Sequence, residues 1–362
     1  MAPLITSVAK GARRAAYGAA QAARVLWYTG HYAYGRRLMG PLTEPGEAPY
    51  AEEFGPLDRE RLKDSFRALF RDDWKNIETG VYNFPDDLRR PPSIAKLWRQ
   101  SRDYLRDAQM VARRKHARGH SEVLTETARE NYPRYYLQNF HYQTDGWLTE
   151  TSAERYEMQV ETLFTGAAGA MRRQTLPFIR DALKGRDVAT ASLLDLGAGT
   201  GGFLATVKSN WPQLNVTALD LSPAYLNKAR ASLGRWKDVE YVQANAEETG
   251  LPDASFDIVT AVYLFHEIPP AVRQTVAAEA ARLLKPGGVF ILADTIQYGD
   301  EPGFDILLEN FPRGFHEPYY DSFCRTDLDA LMQEKGMAPA GEKVAFLTKV
   351  KAFLKHSGDA AP

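Results

Sequence analysis

"LLDLGAGTGGFLATV", residues 193–207, carries two glycine spacings at once. Gly197, Gly199 and Gly202 fit G-x-G-x-x-G, while Asp195, Gly197, Gly199 and Gly201 fit D-x-G-x-G-x-G. In either register an apolar run meets a turn that favours glycine, and helix-forming residues follow. Strand, glycine turn and helix in that order predict the first unit of a parallel sheet whose ligand lies at the strand's carboxyl end.

Downstream the same grammar repeats. "NVTALDLS" reads as a second strand, followed by a helix that Ser222 caps, Pro223 opens and Gly234 closes. "VEYVQAN" and "FDIVTAVYLFHE" (256–267) predict strands three and four, and "VFILADT" a fifth after a helix over 270–284. A helix over 323–336 and "KVAFLTKVKAFLKH" as an antiparallel pair close the chain. Apolar strands alternating with helices predict an α/β fold, a Rossmann-like doubly wound sheet of about seven strands with a terminal antiparallel hairpin.

A mostly helical N-terminal region precedes this sheet. Residues 1–43 hold no Asp or Glu but carry Lys10, Arg13, Arg14, Arg24, Arg36 and Arg37 around the aromatic stretch "VLWYTGHYAYG" (25–35). This basic aromatic helix has two readings: peripheral contact with an anionic membrane surface, or packing of Trp27 and the tyrosines on the body. Pro41–Pro56 reads as a breaker-rich linker, and 57–129 as helical. "YPRYYLQNFHYQTDGW" (132–147) reads as a hinge carrying a binding surface, with Thr151 or Ser152 capping the next helix. The expected divisions are 1–43, 44–145 and 146–357.

The bulk numbers exclude several classes. Net charge is −1 over 362 residues, so no basic field points to nucleic acid, and "YLFHEIPP" stands where a base methylase carries its N/D-P-P-Y tetrad. One cysteine, Cys324, leaves no internal disulfide and no Cys-rich metal module. The expected location is cytoplasmic, peripheral at the inner membrane surface if residues 1–43 bind lipid, and organellar if the source is eukaryotic. Oligomeric state stays open.

Which ligand the glycine turn takes is decided by its flanks. Both a dinucleotide and S-adenosylmethionine (SAM) want an acid for the ribose hydroxyls after strand two, and Asp220 stands there. Asp195 separates them: a carboxylate beside the turn repels a pyrophosphate but suits the cationic amino group of SAM. Asn245-Ala246-Glu247 after strand three adds polar edges for an adenine, and the terminal hairpin is unusual for a nicotinamide domain. An NAD(P)-dependent oxidoreductase is thereby disfavoured; a SAM-binding module without chemistry is not.

"LLDLGAGTGGF", "ALDLSPAYLNKAR", "ANAEETGLPDASFDIVTAVYLFHEIP" and "LLKPGGVFILAD" together resemble the successive motifs of class I SAM-dependent methyltransferases over about 190–355. The type 11 domain, which includes ubiquinone and menaquinone C-methyltransferases, is the nearest flavour, and "SAERYEMQVETLF" resembles its upstream helix. The resemblance implies that Asp195, Gly197, Ala198, Gly199 and Gly201 hold the methionine part. It assigns Asp220 to the ribose and Asn245 and Ala246 to the adenine, with Leu221 and Tyr263 as further cofactor contacts. Asn245 departs from the Asp common in the family, yet an amide both accepts from and donates to adenine.

On the acceptor side, two near-copies follow strands four and five: "FHEIP" (265–269) and "FHEP" (315–318). Phenol and enol acceptors must lose a proton, which makes His266 and Glu267 the candidate catalytic pair. His141, Tyr142, His316, Tyr319 and Tyr320 are the candidate substrate contacts. Two His-Glu pairs without ligand-like spacing imply no metal. The excess of aromatics in these loops favours a small, lipophilic or aromatic acceptor of quinone, lipid or natural-product type.

Overall fold

The computed structural model describes residues 2–39, 55–117, 119 and 123–357. Apart from Gly55 and Pro56, the expected linker lies outside them, as does the expected boundary at 43–44.

α1 (Ala2–Met39) is followed by α2 (Arg59–Glu78), α3 (Asp86–Arg89), α4 (Ile94–Ala117) and α5 (Glu126–Asn131). The helical reading of 57–129 is thus interrupted at Gly80, which turns with φ +72°, at Pro91-Pro92, which no helix interior accommodates, and again between α4 and α5. α2 starts at Asp58, whose carboxylate accepts from the Arg61 amide at 2.9 Å. α1 packs on the body through Tyr17, Gln21 and Arg24, and further along against α4, where His31 Nε2 lies 2.8 Å from Ser101 Oγ.

α6 (Glu150–Leu163), α7 (Ala168–Arg173) and α8 (Leu176–Ala182) lead into the sheet. The cap of α6 is Thr149, not Thr151 or Ser152. Ser152 is instead buried, its hydroxyl bonded to Gly146 O at 2.5 Å and Tyr225 Oη at 2.9 Å.

Seven strands follow: β1 (Ser192–Leu196), β2 (Asn215–Asp220), β3 (Val239–Gln243), β4 (Phe256–Val262), β5 (Leu284–Thr295), β6 (Met337–Ala345) and β7 (Thr348–Lys355). Their order is β3-β2-β1-β4-β5-β7-β6, parallel as far as β5, with β7 antiparallel to both β5 and β6. α9 (Gly202–Asn210), α10 (Pro223–Leu233) and α11 (Pro270–Leu283) are the crossovers. Successive β1 residues serve opposite faces: Leu193 packs with Leu204 and Leu226, Leu194 with Val276 and Leu283. Burial on both faces is why these strands read as unbroken apolar runs.

Three expectations need correction. β4 stops at Val262, because Tyr263 takes φ +58° and Phe265–Glu267 form a 3-10 turn. Two helices absent from the sequence reading, α12 (Asp305–Gly314) and α13 (Tyr320–Cys324), lie between β5 and the last helix. That helix, α14, is Leu328–Gln333 rather than 323–336; Asp327 caps it by accepting from Ala330 N at 3.0 Å.

The N-terminal helices share the sheet's core. Tyr17, Trp74 and Ile77 pack in the same apolar cluster as Leu193 and Val207. Asp73, fully buried, accepts from Arg173 at 2.7 and 2.8 Å, from Tyr17 Oη at 2.6 Å and from Tyr82 Oη at 2.7 Å. A carboxylate so deep is tolerable only because every donor reaches it. Arg24 adds a clamp to Glu161 at 2.5 Å and Asp87 at 2.9 Å.

Candidate active site

Two cavities meet at the carboxyl edge of the sheet. One, with about 780 Å³ of empty space including open solvent, lies where strand order reverses between β1 and β4. Gly197 and Gly199 floor it; Asp220, Leu221, Asn245 and Ala246 line it from the ends of β2 and β3. The other, with about 1320 Å³, is enclosed by α1, α4, α6, α12 and the hinge. Trp147, Tyr156, Tyr263 and Glu267 wall both.

The glycines are required here by conformation. Gly197, Gly199 and Gly201 all have positive φ, at +71°, +55° and +75°. A Cβ at Gly201 would also meet Ala229 Cα at 3.1 Å, where α9 and α10 cross. The turn leaves Gly199 N donating to Asp220 Oδ2 at 2.8 Å, while Ser222 N donates to Oδ1 at 2.8 Å. Burial pushes the Asp220 carboxyl up to about 6 against these amides.

Of the predicted cofactor contacts, Gly197, Gly199, Asp220, Leu221, Asn245, Ala246 and Tyr263 line the cavity. Asp195, Ala198 and Gly201 stand behind the loop. Asp195 is buried and accepts from Thr260 Oγ1 at 2.7 Å; burial pushes its carboxyl up to about 7. Ala198 packs in the core between sheet and helices.

The hinge reaches further than its sequence suggested. Tyr135 and Tyr136 close the glycine-floored cavity, with Tyr135 Oη donating to Glu247 at 2.6 Å beside Asn245. Ser222 Oγ accepts from Tyr225 N as the α10 cap and donates to Trp147 O at 2.6 Å, pinning the hinge to the cap. His141, Tyr142 and Asp145 sit at φ +55°, +54° and +64°. Non-glycine residues hold such angles only where their surroundings over-determine them, a pattern that gathers at functional sites.

His266 lies in the larger cavity's wall, buried, with Nδ1 2.6 Å from Asp294 Oδ1. Asp294, at the end of β5, also accepts from the amides of Phe265 at 2.9 Å, His266 at 3.3 Å and Thr295 at 2.7 Å. These bonds wind the 3-10 turn after β4. Burial works against a charged imidazole, but Asp294 outweighs it together with Glu267 and Glu317, lifting His266 to about 9. Glu267, 3.9 Å from His266 Nε2, is raised by burial and by the acids around it.

His141 and Tyr320 also reach the larger cavity. His141 Nε2 lies 2.5 Å from Oε1 of Glu317, whose side chain is fully buried, within charge-pairing distance though not aligned for a hydrogen bond. Tyr142, His316 and Tyr319 do not line it. Gln138 links two of them, donating to Tyr319 Oη at 3.0 Å with its Oε1 2.8 Å from His316 Nε2. Among the described residues no group of His, Cys, Asp and Glu is arranged to hold a metal ion.

Sequence reasoning missed Asp294, Tyr156, Tyr135, Tyr136 and the α1 and α4 residues Tyr32 and Tyr104. Only Asp294 had a usable signal: an acid ending an apolar strand beside the turn that carries "HE".

Among the described residues, the glycine-floored cavity is lined by the acids Asp220 and Glu267 and by no Lys or Arg. That lining suits a cation and is wrong for a pyrophosphate. The methyltransferase domain family matches residues 193–288. The chain carries a class I SAM-dependent methyltransferase domain.

Among relatives, the malonyl-(acyl-carrier protein) O-methyltransferase of Geobacter sulfurreducens is 28% identical over 211 residues, which cover 54% of this chain and 77% of that protein. A ubiquinone/menaquinone biosynthesis C-methyltransferase of Methylobacterium nodulans is 30% identical over 162 residues, covering 44% and 62%. The demethylmenaquinone methyltransferase of Tropheryma whipplei is 28% identical over 195 residues, covering 51% and 74%. The enzyme transfers a methyl group from SAM to a small organic acceptor.

Proposed function

We propose that this methyltransferase acts on a lipophilic, aromatic or quinone-like acceptor with an ionisable oxygen, bound in the larger cavity. One observation carries the reading: that cavity is walled mostly by aromatic and aliphatic side chains, with His266 and Glu267 at its wall near the cofactor cavity, His141 from the hinge, and Asp107 on the α4 side already held by Thr144, Arg155 and Gln159. Asp220 would hold the ribose, Asn245 and Ala246 the adenine, and the backbone of Gly197 and Gly199 the methionine part. When bound, SAM supplies a sulfonium methyl that a nucleophile displaces directly, so the protein's work is alignment and control of the acceptor's proton.

The two histidines divide that control. His266, charged beside Asp294, donates from Nε2 and holds the acceptor's developing oxyanion; an imidazolium is no base. His141, backed by the buried Glu317 carboxylate, takes the proton. Trp147, Tyr156 and Tyr263 exclude water from the meeting point and press a flat acceptor against it.

The test is transfer of labelled methyl from SAM to a panel of hydroquinones, phenols, isoprenoid quinols and fatty acids. Product that partitions into organic solvent is expected. Label confined to charged, water-soluble products, or no transfer by protein that binds SAM, would overturn the acceptor reading.

A further inference from the structure

α4 carries an apolar stripe at Ile94, Trp98, Leu105, Ala108 and Ala112, spaced by threes, fours and sevens along one face. From Ser101 onward that stripe is covered by the rest of the protein. Its first two turns are not: Ile94 is 74% and Trp98 69% exposed. A solvated tryptophan and isoleucine four residues apart, continuing a core-facing stripe, lack a partner on the described surface.

The surroundings specify one. "RRPPSIAKLWRQSR", residues 89–102, contains Arg89, Arg90, Lys96, Arg99 and Arg102 and no acid. All five cations are exposed. Apolar anchors ringed by cations complement a surface that is apolar within and anionic at its face. The same helix then enters the acceptor cavity, where Tyr104, Ala108 and Val111 form part of the wall. From Ile94 to Ala108 the helix rises roughly 20 Å, a distance that a long apolar tail spans.

We propose that residues 89–102 dock the enzyme on an anionic lipid bilayer, with Trp98 and Ile94 in the headgroup–acyl boundary and the cations on the lipid phosphates. This surface on α4 is separate from the membrane contact weighed for residues 1–43, whose helix α1 commits Tyr17, Gln21 and Arg24 to the body. The docked helix joins the bilayer to the cavity wall. This proposal rests on the lipophilic acceptor for its purpose but not for its test, because docking is measured without any acceptor.

Full-length protein is sedimented with vesicles of phosphatidylcholine alone and of phosphatidylcholine mixed with phosphatidylglycerol. Binding to the mixed vesicles only, weakened by salt, is expected. Trp98→Glu should lower partitioning at least tenfold, and Lys96→Glu with Arg99→Glu more than tenfold, at about fivefold per lost cation. Calorimetric SAM affinity should stay unchanged in each variant, since neither face lines the cofactor cavity. Protein left in the supernatant, equal binding to neutral vesicles, or Trp98→Glu sedimenting like wild type would overturn the proposal. So would a concentration-dependent dimer that Trp98→Glu abolishes, which would make a second copy the occupant.

Discussion

Replacing Asp294 by Asn tests the charge assigned to His266. The carboxylate lies 2.6 Å from Nδ1 and, against burial and with smaller help from Glu267 and Glu317, lifts the imidazole from 6.5 to about 9. At 1.36 kcal/mol per pKa unit, that difference corresponds to about 3 kcal/mol in favour of the charged form. A folded-state pKa above the unfolded value stabilises fully below pH 6.5, and the contribution fades as pH rises through about 9. Asn keeps one acceptor oxygen but brings an NH₂ group against the Phe265 and His266 amides or against the ring. That mismatch adds about 1–2 kcal/mol at every pH. The variant should therefore be less stable by about 4–5 kcal/mol at pH 6 and by about 1–2 kcal/mol above pH 9. Urea unfolding of both proteins from pH 6 to 9.5 reads the difference, and the His266 ring resonances read the titration directly. Parallel stability curves, or a wild-type ring titrating at or below its ordinary value, would refute the argument and return His266 to the role of base.

Asp220→Asn should weaken SAM binding about a hundredfold by calorimetry while NADH binds neither protein, since charged hydrogen bonds to two ribose hydroxyls contribute roughly 1.5–3 kcal/mol each; unchanged affinity would remove Asp220 from the site. His141→Gln and Glu317→Gln should lower kcat by about 10²–10⁴ with little change in the acceptor KM, and acceptors that enter already ionised should be spared. Equal losses for ionised and neutral acceptors would show that the pair only shapes the cavity. Asp73→Ala should cost about 3–5 kcal/mol, because it leaves the buried Arg173 with only Asp87, 3.8 Å away, as a counter-charge. Limited proteolysis should then release α1 and α2 before the sheet is cut.

The fold and half of the site were legible because their signals are contiguous. Buried parallel strands write themselves as apolar runs, and a ligand loop between strand and helix must place glycines and acids at fixed short spacings. Gly197, Gly199, Asp220 and Asn245 each sit within a few residues of a strand end, so a linear reading finds them. The role of Asp195 was less legible. Its spacing fixes its place beside the turn, but only the structure shows its carboxylate spent on Thr260. Helix α13 was obscured because "EPYYDSFC" carries a proline and two tyrosines, loop-like by composition, and is held by tertiary contacts of Tyr320 and Phe323.

The acceptor half is different in kind. Its wall is assembled from Tyr32, Tyr104, His141, Tyr156 and Phe311, which share no period and no local motif. The pairing of His141 with Glu317 joins the hinge to the approach of α13 and exists only after both have packed. What the sequence did mark was the hinge's excess of aromatics, without saying that they divide: Tyr135 and Tyr136 to the cofactor, His141 to the acceptor, Trp147 to both. That division has a thermodynamic consequence. Trp147 is anchored through its carbonyl to Ser222, which caps α10 directly after Asp220. A ligand that orders Asp220 and Ser222 therefore also fixes the wall against which the acceptor packs, so the second ligand binds a surface already ordered by the first. Acceptor affinity should rise when the cofactor cavity is filled with S-adenosylhomocysteine, and by reciprocity the acceptor should tighten S-adenosylhomocysteine by the same factor. Calorimetric titrations in both orders measure the two factors, and independent binding would show that Trp147 is rigid without either ligand.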